Sequence, residues 1–446
     1  MAKNFSRRKF LSALGVSALA PEISLSKIGS EKHSEPGRPN VIFIMTDQHR
    51  QDGVGIYPGS KAITPNLDQL AQEGILFNRA YVAQPVCAPN RASMLSGLYP
   101  HSHGVLENTW SLSSRVTTTA EILGTAGYMC GYFGKWHLDR VNSHGFSIFP
   151  DYPGDGRGDD HYFIQDGEKR YSVDVITDDV IEFIRANKNK PFYSFVSYYP
   201  PHPAYAVPEQ WEQLYADIYP ADEKRRIYYG MCSKVDEQIG RILQEIRNSG
   251  IEENTLVLFT SDHGHYFDKR WNNHPKRLCF DISARVPLIM RFPGKIAVGQ
   301  VTDGLFSSVD LNQTIIGLTG LSQFEGLQGV DQSDFITGKE ESPRDALVIE
   351  NFPYPDKTET PGPYKNEPLW SAGEERCIFD GEWKLILSTT RPPELYNLVS
   401  DSNEVINQWS AKKDMTLVKI LGEKLHIWGV ETGDDLAPTL AGQYCG

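Results

Sequence analysis

Two short runs of apolar and β-branched residues, at 41–45 and 255–260, most constrain what this chain can fold into. Neither run alternates with polar residues, which is typical of strands buried on both faces in a parallel sheet covered by helices. Helical spacing of apolar residues at 173–186 and 234–246 predicts such covering helices. The pattern therefore predicts an α/β fold with a large, mixed, mostly parallel sheet flanked by helices. Further strands are predicted at 128–133, 192–199 and 285–290.

The length of 446 residues leaves room for a second, smaller unit beside that sheet. We expect a signal peptide and linker at 1–36, the α/β domain at 37–350 and a C-terminal α+β subdomain at 351–446. The subdomain is predicted to hold a small antiparallel sheet, including a hairpin at 376–387, and a final helix at 415–428.

An acidic residue closely follows each of the two apolar runs. Asp47 and Gln48 follow the first run, and Asp262 and His263 follow the second. Ligands gather at the carboxyl ends of strands in open α/β sheets, so these side chains are expected to meet. Carboxylate and amide oxygens suit Ca²⁺ or Mg²⁺, whereas an imidazole ligand leans toward Mn²⁺. The sequence predicts a divalent-metal site, with Ca²⁺ first and Mn²⁺ or Mg²⁺ as alternatives.

A cysteine, a proline and an arginine at alternate positions, Cys87, Pro89 and Arg91, are the second chemical signal. Pro89 suits the first turn of a helix, and a helix is predicted over 90–98. Residue 87 then lies at a helix N-terminus, where unpaired N–H groups and the helix dipole favour an anion. Arg91 can supply a planar guanidinium for an oxyanion. A nucleophile beside an anion site is predicted.

Charge and cysteine content exclude several classes of protein. A net charge of −13 argues against nucleic acid as a partner and against binding to membrane surfaces. An anionic substrate must therefore be attracted by a local group of cations. The six cysteines do not form the dense pattern of a disulfide framework.

Polar motifs also lie at other predicted strand ends. Lys135 and His137 flank Trp136, so in extended backbone both side chains would point the same way. That would place a fixed cation beside a group that titrates near neutral pH. The prolines around His202 would stop a strand and present this histidine at its end. By composition alone Lys276 would be an exposed lysine.

Together these segments resemble the type I, formylglycine-dependent sulfatases of the alkaline phosphatase superfamily. The resemblance implies an alkaline-phosphatase-like fold, a divalent metal and hydrolysis of sulfate monoesters. In that family the cysteine, Cys87 here, is oxidised to formylglycine, and the hydrated aldehyde is the nucleophile. The resemblance implies metal ligands at Asp47, Gln48, Cys87, Asp262 and His263. It implies charge neutralisation by Arg91 and Lys135, proton acceptance by His137, and help to the leaving alcohol from His202 and Lys276.

Two positions depart from the family's pattern. Many sulfatases carry Asp-Asp and Asp-Asn where this chain has Asp47-Gln48 and Asp262-His263. Phosphonate and phosphate ester hydrolases of the same superfamily also use the Gln and His forms, and such a hydrolase is the second hypothesis. A third is a non-catalytic carbohydrate-binding protein in which Cys87 stays unmodified.

The substrate class also follows from the resemblance. An exported sulfatase with an aromatic-rich pocket favours a sulfated mono- or oligosaccharide. The residues first expected to contact it are Asn108, Tyr205, Arg270, Trp271 and His274.

The N-terminus resembles a twin-arginine export signal, with Arg7 and Arg8 followed by an apolar run over 10–20. That run is too short to span a bilayer, so a cleaved signal is expected rather than stable membrane insertion. The twin-arginine route exports folded proteins, which would let a formylglycine-generating enzyme or a radical maturase act before export. A periplasmic or secreted protein is predicted.

Overall fold

The computed structural model describes residues 37–138, 142–267, 276–353, 373–413 and 415–446. The predicted signal segment, 1–36, lies outside the described residues, so export stays a prediction. No helix among the described ranges is long and apolar enough to cross a membrane.

The described residues form a main sheet, a hairpin and a C-terminal sheet. The main sheet contains β1 (Asn40–Thr46), β2 (Ile75–Tyr81), β3 (Met129–Gly134), β6 (Phe192–Tyr198), β7 (Thr255–Ser261), β8 (Arg285–Arg291), β9 (Gln300–Thr302) and β10 (Phe306–Ser307). The hairpin contains β4 (Tyr162–Gln165) and β5 (Glu168–Tyr171). The C-terminal sheet contains β11 (Leu347–Asn351), β12 (Glu375–Phe379), β13 (Trp383–Ser388) and β14 (Glu394–Asn397).

Helices precede, follow and connect these strands. Those of seven residues or more are α1 (Pro65–Gln72), α2 (Cys87–Ser96), α4 (Thr119–Thr125), α5 (Ser172–Asn187), α7 (Glu223–Asn248), α9 (Asp310–Leu318), α12 (Thr416–Thr432) and α13 (Leu436–Tyr444). The shorter ones are α3 (Pro100–His103), α6 (Glu209–Gln213), α8 (Asp281–Ala284), α10 (Ser333–Ile336) and α11 (Trp409–Lys412). Short 3₁₀ helices lie at Gln51–Gly53, Pro153–Gly156 and Glu252–Asn254.

The main sheet is mixed and mostly parallel, as predicted. Its order is β10-β2-β8-β7-β1-β6-β3, with β9 also paired to β2. The strands β3, β6, β1 and β7 are parallel to their neighbours in that group, whereas β8 is antiparallel to both β7 and β2. The flanking helices and the separate C-terminal antiparallel sheet complete the predicted fold class.

The central strand β1 is buried on both faces, which explains its uninterrupted apolar sequence. Val41, Phe43 and Met45 pack in one core cluster, and Ile42 and Ile44 pack in another. Because successive strand side chains point to opposite faces, each core lies on one side of the sheet. Helices α2, α4 and α9 contribute to the first core, and α1, α5 and α7 to the second.

Helix α7 is longer than the predicted 234–246 and begins at Glu223. Its first turns carry several charged residues, so apolar spacing did not reveal them. A capping contact starts the helix, because the side chain of Asp222 accepts a hydrogen bond from the Arg225 N–H.

The C-terminal subdomain contains the predicted antiparallel sheet and hairpin. The predicted last helix extends to Thr432, and the expectation that it ends the fold is wrong. Gly433 adopts φ 79°, which ends α12 and lets α13 follow at Leu436–Tyr444. The sheet begins at Leu347, shortly before the expected domain boundary, and the boundary itself stays a prediction.

Buried ion pairs join this subdomain to the main domain. Lys384 of β13 pairs with Asp281 of α8 and with Glu404, the latter at 2.7 Å. His101 Nδ1 lies 2.5 Å from a Glu350 carboxylate oxygen. The C-terminal sheet is therefore held against the loop that follows the Cys87 helix.

Candidate active site

The carboxyl ends of β1, β6 and β7 bring the site together. Thr46 of β1 lies beside Tyr198 of β6 and Ser261 of β7 in the parallel register. Asp47 and Asp262 therefore leave neighbouring strands at the same edge of the sheet, and both are buried. The two strand ends meet as the sequence pattern predicts.

Cys87 is the first residue of α2, and the whole helix is buried. The helix begins before the predicted start at Asn90, because Pro89 is accommodated within its first turn. The backbone N–H groups of that turn have no partner inside the helix, so the missing N–H of proline costs little there. Cys87 thus lies at a helix N-terminus, as predicted.

Four possible metal-ligating atoms lie within 4.8 Å of one another, one each from Asp47, Cys87, Asp262 and His263. Cys87 Sγ lies 3.1 Å from His263 Nε2 and 3.8 Å from Asp47 Oδ1. His263 Nδ1 lies 2.8 Å from the carbonyl oxygen of Gly264, and only the ring N–H can donate there. The other ring nitrogen, Nε2, is therefore the one that faces the cluster.

Two lysines approach this cluster. Lys276 Nζ lies 2.7 Å from Cys87 Sγ. Lys135 Nζ forms a short ion pair with Asp47 and lies 4.1 Å from the centre of the Tyr199 ring. Both lysines are held among buried groups, unlike the exposed side chain that composition alone predicts for Lys276.

Arg91 bridges the two strand-end carboxylates. Its Nε donates to Asp262 at 2.9 Å and its second terminal nitrogen donates to Asp47 at 3.2 Å. The remaining terminal nitrogen donates to Ser197 Oγ at 2.7 Å and to the Lys135 carbonyl at 3.0 Å. The fully buried guanidinium is thus fixed in one orientation.

The charges around Cys87 decide its protonation state. Burial and the Asp47 carboxylate raise the pKa of the thiol, whereas Lys135, Lys276 and His263 lower it. The net result is a pKa well below the usual value, which favours an anionic sulfur. The position is therefore built to stabilise negative charge.

The two carboxylates respond differently to their surroundings. Burial raises the pKa of Asp47, but Lys135, His202 and Arg91 hold it well below the usual value. Burial and the charge of Asp47 raise the pKa of Asp262. One carboxylate is thus kept ionised, and its charge makes ionisation of the other harder.

Two histidines of the site differ in their basicity. Burial lowers the pKa of His263, but Asp262 and Cys87 outweigh it and the net shift is upward. Burial is the largest cause of the low pKa of His202, about 3. His202 Nδ1 donates to the Pro203 carbonyl, so the neutral ring keeps Nε2 as an acceptor.

A histidine that sequence reasoning missed holds the His202 loop. The ring nitrogen Nε2 of His161 lies 2.8 Å from the carbonyl oxygens of His202 and Ala204 and donates to them. Burial lowers the pKa of His161 to about 4, so this ring is neutral near pH 7. No local motif marks it, since it lies far from residue 202 in sequence.

His137 departs from the extended backbone predicted after β3. Its φ is 65°, so the expectation that Lys135 and His137 point the same way is wrong. Lys135 reaches Asp47, whereas His137 lines a cavity of about 800 Å³ together with Trp110 and Trp136. Its buried Nδ1 has no hydrogen-bond partner in the described part of the chain. Proton acceptance by His137 stays a prediction.

The residues predicted to contact the substrate do not all lie in the same part of the chain's structure. Asn108 lines the same cavity, and its Oδ1 accepts a hydrogen bond of 3.0 Å from the Ala88 N–H at the start of α2. The Tyr205 hydroxyl lies 2.9 Å from Nε2 of His265. Their contacts with substrate stay predictions. The other three candidates, Arg270, Trp271 and His274, lie outside the described residues.

The donor set fits a divalent cation. The carboxylates of Asp47 and Asp262 and the Nε2 of His263 converge, and Gln48 donates its backbone N–H to Asp262 at 2.9 Å. The buried Oε1 of Gln48 has no hydrogen-bond partner among the described residues. A buried amide oxygen without a partner is unfavourable unless a hydrogen-bond donor or a cation binds it. Oxygen donors with one imidazole would hold a divalent metal here.

Fold and site together define a hydrolase with an alkaline-phosphatase-like architecture. The family model described as sulfatase matches residues 39–321, and the one described as N-sulphoglucosamine sulphohydrolase, C-terminal, matches residues 262–429. The chain belongs to the sulfatase family and is a sulfuric ester hydrolase.

Individual similar proteins include a sulfatase and a phosphonate hydrolase. The chain is 29% identical over 445 residues to an ulvan-active sulfatase of Formosa agariphila, covering 91% of this chain and 84% of the relative. A structure solved with its substrate D-glucosamine-2-N,6-O-disulfate shares the fold, with a TM-score of 0.78, 24% identity and coverage of 89% and 99% of the two chains. A phosphonate monoester hydrolase of Agrobacterium radiobacter gives a TM-score of 0.73, 26% identity and coverage of 89% and 96%.

Proposed function

We propose that this sulfatase removes sulfate from a sulfated mono- or oligosaccharide, using formylglycine formed from Cys87 and a divalent metal. The observation that carries the proposal is the group of buried and partly buried cations around one side chain at a helix N-terminus. Lys276 contacts Cys87 Sγ, and Lys135 and Arg91 contact the adjacent Asp47. A chain with a net charge of −13 needs such a local site to bind an anionic ester.

Charge neutralisation is the first task of these residues. Sulfate monoesters react slowly because the anion repels nucleophiles and because an alkoxide is a poor leaving group. Lys135 and Arg91 are fixed by buried contacts before substrate binds, so little reorganisation is needed to stabilise developing charge. The positive end of the helix dipole at residue 87 adds to this stabilisation.

The groups supplied by maturation and metal binding complete the site. A hydrated aldehyde at residue 87 would supply the attacking hydroxyl, and a divalent metal held by Asp47, Gln48, Asp262 and His263 would polarise the sulfate oxygens. Ca²⁺ is our first choice, since three of these donors are oxygens, with Mn²⁺ or Mg²⁺ as alternatives.

Proton transfer is assigned to Lys276 and His137. Lys276 Nζ lies 2.7 Å from the side-chain sulfur of residue 87, where the ester reacts in this proposal. Its ammonium can therefore bring positive charge and a proton to the leaving oxygen. The neutral His202 ring keeps Nε2 as an acceptor, so it can accept a hydrogen bond there, and the proton for the leaving oxygen comes from Lys276. His137 would accept the proton that restores the aldehyde.

The cavity beside His137 supports a saccharide as the substrate. Its volume of about 800 Å³ suits a ligand of more than one ring. Trp110 lies in its lining and can stack against the apolar face of a pyranose. Asp151 and Asp155 of the same lining can accept hydrogen bonds from sugar hydroxyls.

A phosphonate or phosphate ester hydrolase is the second candidate. Gln48 and His263 favour it, since these replace the residues that many sulfatases carry. The family assignment and the three cations suited to a sulfate ester favour the first candidate. Hydrolysis of an aryl sulfate and of an aryl phosphonate by the same purified protein separates the two.

Export and maturation complete the proposal. We infer a periplasmic or secreted enzyme exported by the twin-arginine route, because Arg7 and Arg8 precede a short apolar run. A formylglycine-generating enzyme or a radical maturase would oxidise Cys87 before export. Measuring the mass of the peptide that spans residue 87 distinguishes formylglycine from cysteine.

The first prediction concerns the reaction itself. Matured protein incubated with a panel of sulfated mono- and oligosaccharides is expected to release inorganic sulfate, and its kcat/KM for aryl sulfate should exceed that for aryl phosphonate. The Cys87→Ala protein serves as the control for contaminating activity. Faster cleavage of the phosphonate would favour the second candidate, and a protein that keeps an unmodified Cys87 and cleaves neither ester would favour the binding protein.

The second prediction concerns the leaving group. Lys276→Ala is expected to lower kcat for a sulfated sugar by about 10²- to 10³-fold, because an alkoxide then leaves without charge or proton donation. An aryl sulfate with an acidic phenol needs less help, so its loss should be clearly smaller. Stopped assays on both substrates measure the difference. Lys188→Ala, an exposed lysine, is the control. Equal losses on both substrates would contradict the role in leaving-group departure.

A further inference from the structure

The residue two positions beyond His263 contacts Gln48. Nδ1 of His265 lies 2.5 Å from the side-chain nitrogen Nε2 of Gln48, and both residues are buried. Gln48 is the predicted metal ligand whose Oε1 has no hydrogen-bond partner among the described residues. The nitrogen of this amide group thus has a hydrogen-bond partner, whereas its oxygen has none among the described residues.

The ring of His265 is fixed by contacts on several sides. Its Nε2 lies 2.9 Å from the Tyr205 hydroxyl. The ring stacks on Tyr228, with centroids 5.3 Å apart and an angle of 18°, and meets Phe267 edge-on at 4.4 Å. The His265 carbonyl accepts a hydrogen bond of 3.2 Å from Arg50. The imidazole therefore cannot turn freely.

Hydrogen-bond chemistry then decides which way the amide lies. A neutral imidazole has one donor and one acceptor. The amide nitrogen of Gln48 can only donate, so Nδ1 must accept and Nε2 carries the hydrogen that faces the Tyr205 oxygen.

From this geometry we propose that His265 is a positioning residue for the metal ligand Gln48. By accepting from the amide NH₂, it keeps the opposite atom, Oε1, available for the divalent cation. If the NH₂ end faced the cation instead, its partial positive charge would oppose binding. The hydrogen bonds from Gln48 to His265 and from His265 to Tyr205 act as a support behind the metal ligands, as histidine and carboxylate partners do in other metal sites.

The inference rests on the proposed function in one respect, namely that the cluster binds a divalent metal. Its test is therefore metal affinity, measured by titrating Ca²⁺, Mg²⁺ or Mn²⁺ into metal-free protein and following the heat of binding. If the unsubstituted protein binds none of the three ions, the metal part of the proposed function fails. If it binds one of them, the variants below test His265 alone.

Two variants of nearly equal shape separate hydrogen bonding from packing. His265→Leu fills the space without an acceptor and is expected to weaken metal binding about 10- to 100-fold. His265→Asn keeps an oxygen where Nδ1 lies and is expected to bind within about threefold of the unsubstituted protein. Loss of packing alone would affect both variants alike.

A further variant tests whether the effect passes through Gln48. In a Gln48→Leu background, His265→Leu should leave the remaining metal affinity unchanged, because the amide that it orients is gone. Equal affinities for the Leu and Asn variants, or a second full loss in the Gln48→Leu background, would overturn the proposal. Should His265→Leu fail to fold, a loss of tenfold or more in His265→Asn would overturn it.

Discussion

Replacing Cys87 by alanine is expected to lower kcat/KM for sulfate esters by about 10⁴- to 10⁶-fold, as removal of a nucleophile does in other hydrolases. The protein should remain folded, because the substitution removes a single buried atom next to Lys276 and His263. It also removes a sulfur that lies 3.8 Å from the Asp47 carboxylate. Initial rates on an aryl sulfate and circular dichroism on the same sample measure both expectations.

Cys130 offers a matched control for this substitution. It is also a buried cysteine, but burial raises the pKa of its thiol to about 12, so it stays protonated. It lies on β3 and packs in the core of the main domain. Cys130→Ala is expected to lower stability with little effect on kcat/KM. A Cys87→Ala protein that retained about a tenth of the activity would contradict a nucleophile at this position.

The parts of the fold that were predictable are those with a local signal. The strands at 41–45 and 255–260 lie within one residue of the ends of β1 and β7, because both are buried on both faces. The helix predicted at 173–186 is α5, Ser172–Asn187. In each case the residue pattern reports burial directly, and burial here coincides with regular structure.

The direction of each strand, in contrast, could not be predicted from its residue pattern. The apolar run of β8 suggested a strand and did not show that it is antiparallel to β2 and β7. Direction depends on the path of the chain between strands, which the apolar pattern of a single strand does not encode. The last helix, Leu436–Tyr444, was missed because only a few of its residues are buried, so its apolar spacing is weak.

At the active site, too, the sequence identified several residues but not their geometry. Motifs identified Asp47, Cys87 and Asp262, and parallel register brings the strand ends that carry Asp47 and Asp262 together. The positive φ of His137 had no signal, since left-handed backbone is more usual for glycine or asparagine. The Asn108 contact with the start of α2 joins segments that meet only through tertiary folding.

Arg91→Ala is expected to give the largest loss of stability of any single substitution at the site. The guanidinium is 1% exposed and bonds two buried carboxylates, Asp47 and Asp262, together with Ser197 Oγ. Removing one partner of a buried ion pair typically lowers the free energy of unfolding by about 3–5 kcal/mol, because a charge is left without compensation. Urea unfolding of metal-free protein measures this difference directly.

The direction of the pH dependence provides a second test of the same substitution. Arg91 is one of the cations that hold the pKa of Asp47 below its unfolded value, so this carboxylate stabilises the fold above that value. The stabilisation is lost as pH falls through the lowered pKa. Without Arg91 that pKa rises, so acid unfolding should begin at a higher pH in Arg91→Ala than in the unsubstituted protein.

Two controls decide whether this effect belongs to the buried pair. Arg185→Ala breaks an ion pair with Glu245 in which the arginine is 65% exposed, and it should leave the urea midpoint unchanged within error. Arg91→Lys keeps the charge but cannot reach both carboxylates with the same planar group, so it should fall between Arg91→Ala and the unsubstituted protein. Arg91→Ala could unfold at the same urea concentration as Arg185→Ala only if the Asp47 and Asp262 carboxylates were neutral or solvated. That result would rule out a preformed pair of buried, ionised carboxylates for a divalent cation.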